Sequence, residues 1–257
     1  MDDKDQYLFV GGYHDGRVSM MKLAEDGSIV DIADGIFHKG LGRGVAERSS
    51  RPHVSCVKVT PDQKFLCAVD SGLDHVKVYR IDYNRGRIKL ADILRCDLDS
   101  GPRMIRFSTD GRFAYVLCEL KNEIQVYKYR VEDEQPVFEK IQTVSTAVET
   151  EGISCNASGI EHSADGEYLF ASNVGINDVV IYKIDKETGM LELKMETRIS
   201  GDYPKAVLPD RNHFVSLNHD SNEIRTFKIL YERNCCLMDN PPISIETPNC
   251  IYIHKLR

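Results

Sequence analysis

The chain alternates short apolar runs with polar corners, and one phrase recurs along it. The phrase is an acidic turn, an aromatic-led run, a polar corner, and a second run of alternating β-branched and aromatic residues. It occurs as Tyr7-Leu-Phe-Val with Arg17-Val-Ser-Met, Phe65-Leu-Cys-Ala-Val with His75-Val-Lys-Val-Tyr, and Phe113-Ala-Tyr-Val-Leu with Glu123-Ile-Gln-Val-Tyr. Two more copies follow: Tyr168-Leu-Phe-Ala-Ser with Asp178-Val-Val-Ile-Tyr, and Phe214-Val-Ser-Leu with Glu223-Ile-Arg-Thr-Phe. The spacing is about 45 to 60 residues, within the range of solenoids and propellers. Helix-period patterning is absent, so the alternation predicts strands throughout.

Each full unit reads as four short strands. The first is a run such as Val54 to Thr60, Met104 to Ser108 or Ser158 to His162. A tight turn at Asp62-Gln63, Asp110-Gly111 or Asp165-Gly166 joins it to the aromatic-led pair. A looser fourth run follows, for example Ile88 to Leu94 or Met190 to Thr197. Four antiparallel strands repeated at this spacing predict an all-β chain of β-propeller blades, a single domain over residues 1–257. The chain starts on the second strand of a unit, and Cys250-Ile-Tyr-Ile-His254 reads as a lone first strand. If that run completes the sheet of residues 7 to 37, the ring closes with five blades and leaves no sheet edge. A piece of a larger ring is the competing expectation.

Antiparallel pairing places the start of a unit's first strand beside the end of its second, so the residues there share one rim. They are His53 with Asp70, Arg103 with Glu119, Asn173, and Lys205 with Asn218, with Tyr13 and His14 at the matching corner of the first unit. A guanidinium and a carboxylate on adjacent strand ends orient one another, which singles out Arg103 and Glu119; a structural ion pair is the bland alternative. His53, stiffened by Pro52, is a candidate general base or a histidine bonded at a strand start. Asp70, Asn173 and Asn218 are candidates for a polyhydroxylated ligand, although Asp and Asn at strand ends more often bond their own turn. Arg43, in the loop Gly40-Leu-Gly-Arg-Gly44, is a candidate contact for an anionic substrate.

Composition narrows the classes. With 42% hydrophobic and 28% charged residues the chain is an ordinary globule, and its formal charge of −7 disfavours nucleic-acid binding. The N-terminus has no signal-peptide pattern and no apolar run reaches membrane-spanning length, so neither a membrane nor export is expected and the cytoplasm is the default. The eight cysteines lack Cys-x-x-Cys or zinc-like spacing, so reduced thiols, no metal and no cofactor are expected. Nucleophile-elbow, Walker and dinucleotide motifs are absent. Oligomerisation is left open.

Ser100-Gly-Pro-Arg103, Asp110-Gly-Arg-Phe-Ala-Tyr-Val116, Glu119-Leu120 and Tyr168-Leu-Phe-Ala-Ser-Asn173 resemble phrases of the propeller-type lactonase family. That family includes bacterial 6-phosphogluconolactonases and fungal carboxy-muconate cyclases. The resemblance extends to the closing Pro248-Asn-Cys-Ile251 and implies a fold whose members carry seven blades, with about two N-terminal blades missing here. It also implies a site of arginine and glutamate matching Arg103 and Glu119, with a histidine matching His53. The chain departs from the family phrases at Ser55 (a second histidine), Gly159 and Glu161 (glutamate and histidine), Val174 (arginine) and Lys205 (arginine). The implied function is a lactone hydrolase opening a sugar-acid lactone such as 6-phosphogluconolactone without metal or redox cofactor. The alternative that the departures leave is a non-catalytic propeller that binds a metabolite or protein partner.

Overall fold

The computed structural model describes residues 1–42, 51–148 and 152–252. Within them the chain is all-β, with each strand hydrogen-bonded to the next in sequence. The first sheet holds β1 (Tyr7–Gly11), β2 (Arg17–Leu23) and β3 (Ile29–Phe37). The second holds β4 (Val54–Val59), β5 (Phe65–Asp70), β6 (His75–Asp82) and β7 (Arg87–Arg95). The third holds β8 (Pro102–Phe107), β9 (Phe113–Cys118), β10 (Glu123–Glu132) and β11 (Gln135–Ser145). The fourth is β12 (Asn156–His162), β13 (Tyr168–Val174), β14 (Asp178–Ile184) and β15 (Leu191–Arg198), and the fifth β16 (Pro204–Asp210), β17 (His213–Asn218), β18 (Glu223–Leu230) and β19 (Cys235–Ser244). These meanders are propeller blades. Among the described residues no helix is long and apolar enough to cross a membrane.

The expectation for the first sheet needs correcting. It has three strands among the described residues, and Cys250, Ile251 and Tyr252 form no strand. The last two residues of the expected run, 253 and 254, lie outside the described residues. The contacts also cluster into two compact units, residues 1–120 with 125–141, and 121–124 with 142–257.

The second strands are recognisable in sequence because they are buried on both faces. Every residue of β5 and of β9 is buried, which replaces in/out alternation by a continuous apolar run. In β5 the two faces serve different cores: Phe65, Cys67 and Val69 pack with Ile105, Ala114 and Val116 of the third sheet, whereas Leu66 and Ala68 pack with Phe9, Val18 and Met20 of the first. Cysteine here is a small apolar residue, and burial pushes the Cys67 thiol pKa far up. In the second unit Phe170, Phe214 and Phe227 join Val179, Ile181 and Val207. The fourth strands are wetter, as in the largely exposed β3 and β19.

One turn recurs between first and second strands. Thr60, Ser108 and Ser163 each donate a hydroxyl to the carboxylate of Asp62, Asp110 and Asp165 at 2.6 Å. The same hydroxyls accept the backbone N–H of Phe65, Phe113 and Tyr168 at 2.9–3.0 Å. The aspartates also accept the N–H two residues on, the side-chain mimic of a backbone turn.

Candidate functional site

The first strand of every four-stranded sheet carries a β-bulge at the same place. The ladder runs Val54 to Asp70 and then Cys56 to Val69; it likewise skips one residue between Pro102 and Met104, Ala157 and Gly159, and Pro204 and Ala206. The extra residues are Ser55, Arg103, Ser158 and Lys205. A bulge leaves its residue out of the pleat and re-aims its side chain, which is why bulges recur beside functional sites. Two of these residues join neighbouring sheets within a unit: the Ser55 hydroxyl donates to the Arg103 carbonyl at 2.8 Å, and the Ser158 hydroxyl donates to the Pro204 carbonyl at 2.5 Å.

Arg103 and Glu119 do meet. The guanidinium Nη1 donates to Glu119 Oε2 at 2.8 Å, with side chains 23% and 10% exposed, so the pair is held yet reachable from solvent. Glu119 lies one residue past β9, pinned by its N–H to the Gly101 carbonyl at 2.8 Å. Gly101 is there because of its conformation and its neighbour: its φ is +57°, and a Cβ would lie 2.7 Å from Leu120 Cγ. Its own N–H donates to Asp74 Oδ1 at 2.8 Å.

His53 precedes β4 and is largely buried. Its Nδ1 lies 2.8 Å from the Tyr13 carbonyl, and its ring stacks on that of Tyr13 at 4.6 Å between centroids. A carbonyl only accepts, so the neutral imidazole carries its proton on Nδ1 and its lone pair on Nε2, the tautomer a general base needs. The His53 N–H donates to Asp70 Oδ1 at 2.9 Å.

The other expected ligand residues are placed differently. Asp70 is fully buried; besides His53, its carboxylate accepts Gly72 N–H at 3.1 Å and pairs with His38 Nδ1 at 2.6 Å. Burial by itself raises its pKa, but the bonds from His38 and His53 outweigh that and hold it below the ordinary value. Asn173 donates to the Thr146 carbonyl and to Asp178 Oδ1, both at 2.8 Å, and accepts the Thr146 hydroxyl at 2.7 Å. Asn218 donates to Glu223 Oε1 at 3.1 Å and accepts the Ser216 hydroxyl at 2.7 Å. Asp70, Asn173 and Asn218 are therefore buried, with their polar atoms engaged at the turns they end. Lys205, in the second unit, reaches Asn249. Arg43 lies outside the described residues.

The departures also acquire physical reasons. At Gly159 a Cβ would lie 3.1 Å from the Ala206 Cα, so β12 and β16 approach too closely for a side chain. Ser55 is the bulge residue whose hydroxyl holds the next sheet.

Residues 1–253 match the family model described as "Lactonase, 7-bladed beta-propeller". The chain belongs to this family. Among other lactonase-family relatives, a 6-phosphogluconolactonase of Bacillus subtilis is 25% identical over 259 residues, covering all of this chain and 72% of its own length. An uncharacterised Lactococcus lactis protein is 33% identical over 205 residues, covering 80% of this chain, which spans 58% of that relative. The Pseudomonas aeruginosa periplasmic gluconolactonase superposes with a TM-score of 0.89 at 25% identity, over 97% of this chain and 70% of that one. The chain thus spans between 58% and 72% of the length of these relatives.

Sequence reasoning missed three residues of this lactonase-family chain, all across the turn between second and third strands. His75 pairs in register with Asp70, Asp178 with Asn173, and Glu223 with Asn218. The signal was available as a polar residue five positions after each rim residue; His38 had none, because it reaches Asp70 from 32 residues away. Burial first, then the hydrogen bond and charge of Glu196, push the Asp178 carboxyl pKa up to about 7 against the lowering effects of Asn173 and Arg198. An acid so raised takes up a proton on folding between its ordinary value and 7, so its ionisation destabilises the fold progressively as pH rises through that window. Asp178→Asn removes the ionisation and is expected to stabilise the protein by roughly 1–2 kcal/mol at pH 8 and by almost nothing near pH 4, read from urea midpoints. An equal loss at both pH values would show that the carboxylate itself is required.

Proposed function

We propose that the protein is a lactone hydrolase that opens a sugar-acid lactone, of the 6-phosphogluconolactone or gluconolactone kind, to the free acid. The observation that carries this reading is the half-buried Arg103–Glu119 pair, with Arg103 presented by a bulge and its backbone tied through Ser55 to the strand that His53 begins. In this reading water attacks the lactone carbonyl while His53 Nε2 or the Glu119 carboxylate takes its proton. The carbonyl π electrons move to oxygen, and Arg103 stabilises the resulting oxyanion or holds the substrate's anionic group. Collapse reforms the carbonyl and breaks the bond to the ring oxygen, which leaves with the proton returned by the base. Glu119 holds one end of the guanidinium through Nη1. The names of the Bacillus and Pseudomonas relatives support the substrate class.

Purified protein is expected to accelerate opening of 6-phosphogluconolactone or glucono-δ-lactone over buffer at neutral pH, followed by acid release in a weakly buffered indicator assay. Rates equal to buffer with both lactones would sink the hydrolase reading. A second reading, a propeller that binds a sugar acid without turnover, is favoured by the burial of Asp70, Asn173 and Asn218, which removes three polar groups from the rim. It predicts a thermal shift with gluconate in that same inactive protein.

A further inference from the structure

The first unit contains a buried cluster that the hydrolase mechanism does not use. One side-chain ligand atom from each of His38, Asp70 and His75 lies within 4.8 Å of the others. His38 follows β3, Asp70 ends β5 and His75 opens β6, so three separate pieces of backbone converge on the point. His38 and Asp70 have fully buried side chains, joined at 2.6 Å. Because a carboxylate accepts, the neutral His38 ring donates from Nδ1 and keeps its lone pair on Nε2. That Nε2, and the Nε2 of His75, are buried without a hydrogen-bond partner among the described residues. A buried imidazole nitrogen left unmatched is costly, and two in one cluster with a carboxylate call for a shared occupant.

We propose that His38, Asp70 and His75 bind a borderline divalent transition-metal ion such as Zn²⁺, the two imidazoles supplying nitrogen and the carboxylate supplying oxygen or orienting His38. Imidazole backed by carboxylate is the usual support for a metal-bound histidine, since the carboxylate fixes the tautomer and strengthens the ring as a donor. A neutral ring is required for ligation. Lys77 and Arg95 are the cationic side chains near His75, and they bear on which ion is taken. A hard ion held by charge, Ca²⁺ or Mg²⁺, meets one carboxylate and two nearby cationic side chains, whereas Zn²⁺, Co²⁺ or Ni²⁺ gains most from imidazole nitrogen. A cavity of about 330 Å³ lies against His75, with Asp74, Arg95 and Cys96 also in its wall.

The test is Co²⁺ titration of the chelator-treated protein, followed by its visible absorption, with Zn²⁺ competition and thermal unfolding in parallel. One Co²⁺ per chain with nitrogen/oxygen-type bands is expected, displaced by Zn²⁺. The unfolding midpoint is expected to rise by roughly 5–10 °C at a hundredfold excess of Zn²⁺ over its dissociation constant, and not with Mg²⁺. His75→Gln, on the cavity wall, is expected to fold and to lose at least about tenfold in affinity; His38→Gln is the second variant, should the first bind through a substitute water. A thiolate charge-transfer band would assign the ion to Cys96 or another cysteine and overturn the proposal. So would unchanged affinity in both variants, or no binding at submillimolar metal.

Discussion

Arg103→Ala is expected to lower kcat/KM for lactone opening by roughly 10²–10³-fold, the size found when one preorganised oxyanion donor is removed. The expectation rests on placement. Arg103 is the residue that the β8 ladder skips, so its side chain leaves the pleat, and Glu119 holds the guanidinium at 2.8 Å. Arg103→Lys keeps the charge but not the planar fork, so an intermediate rate is expected, with the larger loss in kcat if the group serves the oxyanion and in KM if it holds the substrate's anionic group. Thermal unfolding run alongside shows that the rates are read on folded protein. Full activity in Arg103→Ala would remove Arg103 from the mechanism.

The largest expected effect on stability is Phe214→Ala, at about 3–5 kcal/mol. Phe214 is fully buried in the second unit, stacked on Phe227 at 4.8 Å with planes 6° apart and tilted against Phe170 at 5.9 Å. Its removal opens a cavity that two rigid rings, Phe227 on the adjacent β18 and Phe170 on β13 of the preceding sheet, cannot close, and it also forfeits the aromatic contacts. Urea unfolding is expected to show the loss as a lower midpoint. Leu237→Ala, at a half-exposed position on β19, serves as the control and is expected to stay within about 0.5 kcal/mol. If the two variants lose similar amounts, the Phe170–Phe214–Phe227 stack is not the centre of that core.

The five strand pairs were legible because second strands such as β5 and β9 are covered on both faces, and such strands have to be written in apolar and aromatic residues. The turn aspartates were legible for an equally local reason, since a hydroxyl two residues before Asp62, Asp110 and Asp165 completes each turn by itself. Cys250-Ile-Tyr-Ile-His254 has strand composition too, but composition does not supply a pairing partner, and Cys250 to Tyr252 form no strand. At the rim, strand adjacency correctly joined Arg103 to Glu119. It gave no burial, and Asp70, Asn173 and Asn218 are buried with hydrogen bonds to their own turns. The bulges were hidden for a related reason: one extra residue in a short strand barely disturbs an alternating pattern, while it redirects the side chain that matters.

Because the skipped residue falls at one register in four sheets, positions 55, 103, 158 and 205 are equivalent sockets, one to a sheet. At Ser55 and Ser158 the socket holds a hydroxyl that fastens the neighbouring sheet, whereas at Arg103 and Lys205 it holds a cationic side chain. Diversification of this scaffold, by natural drift or in a small combinatorial library, has its shortest route through codons 103 and 205.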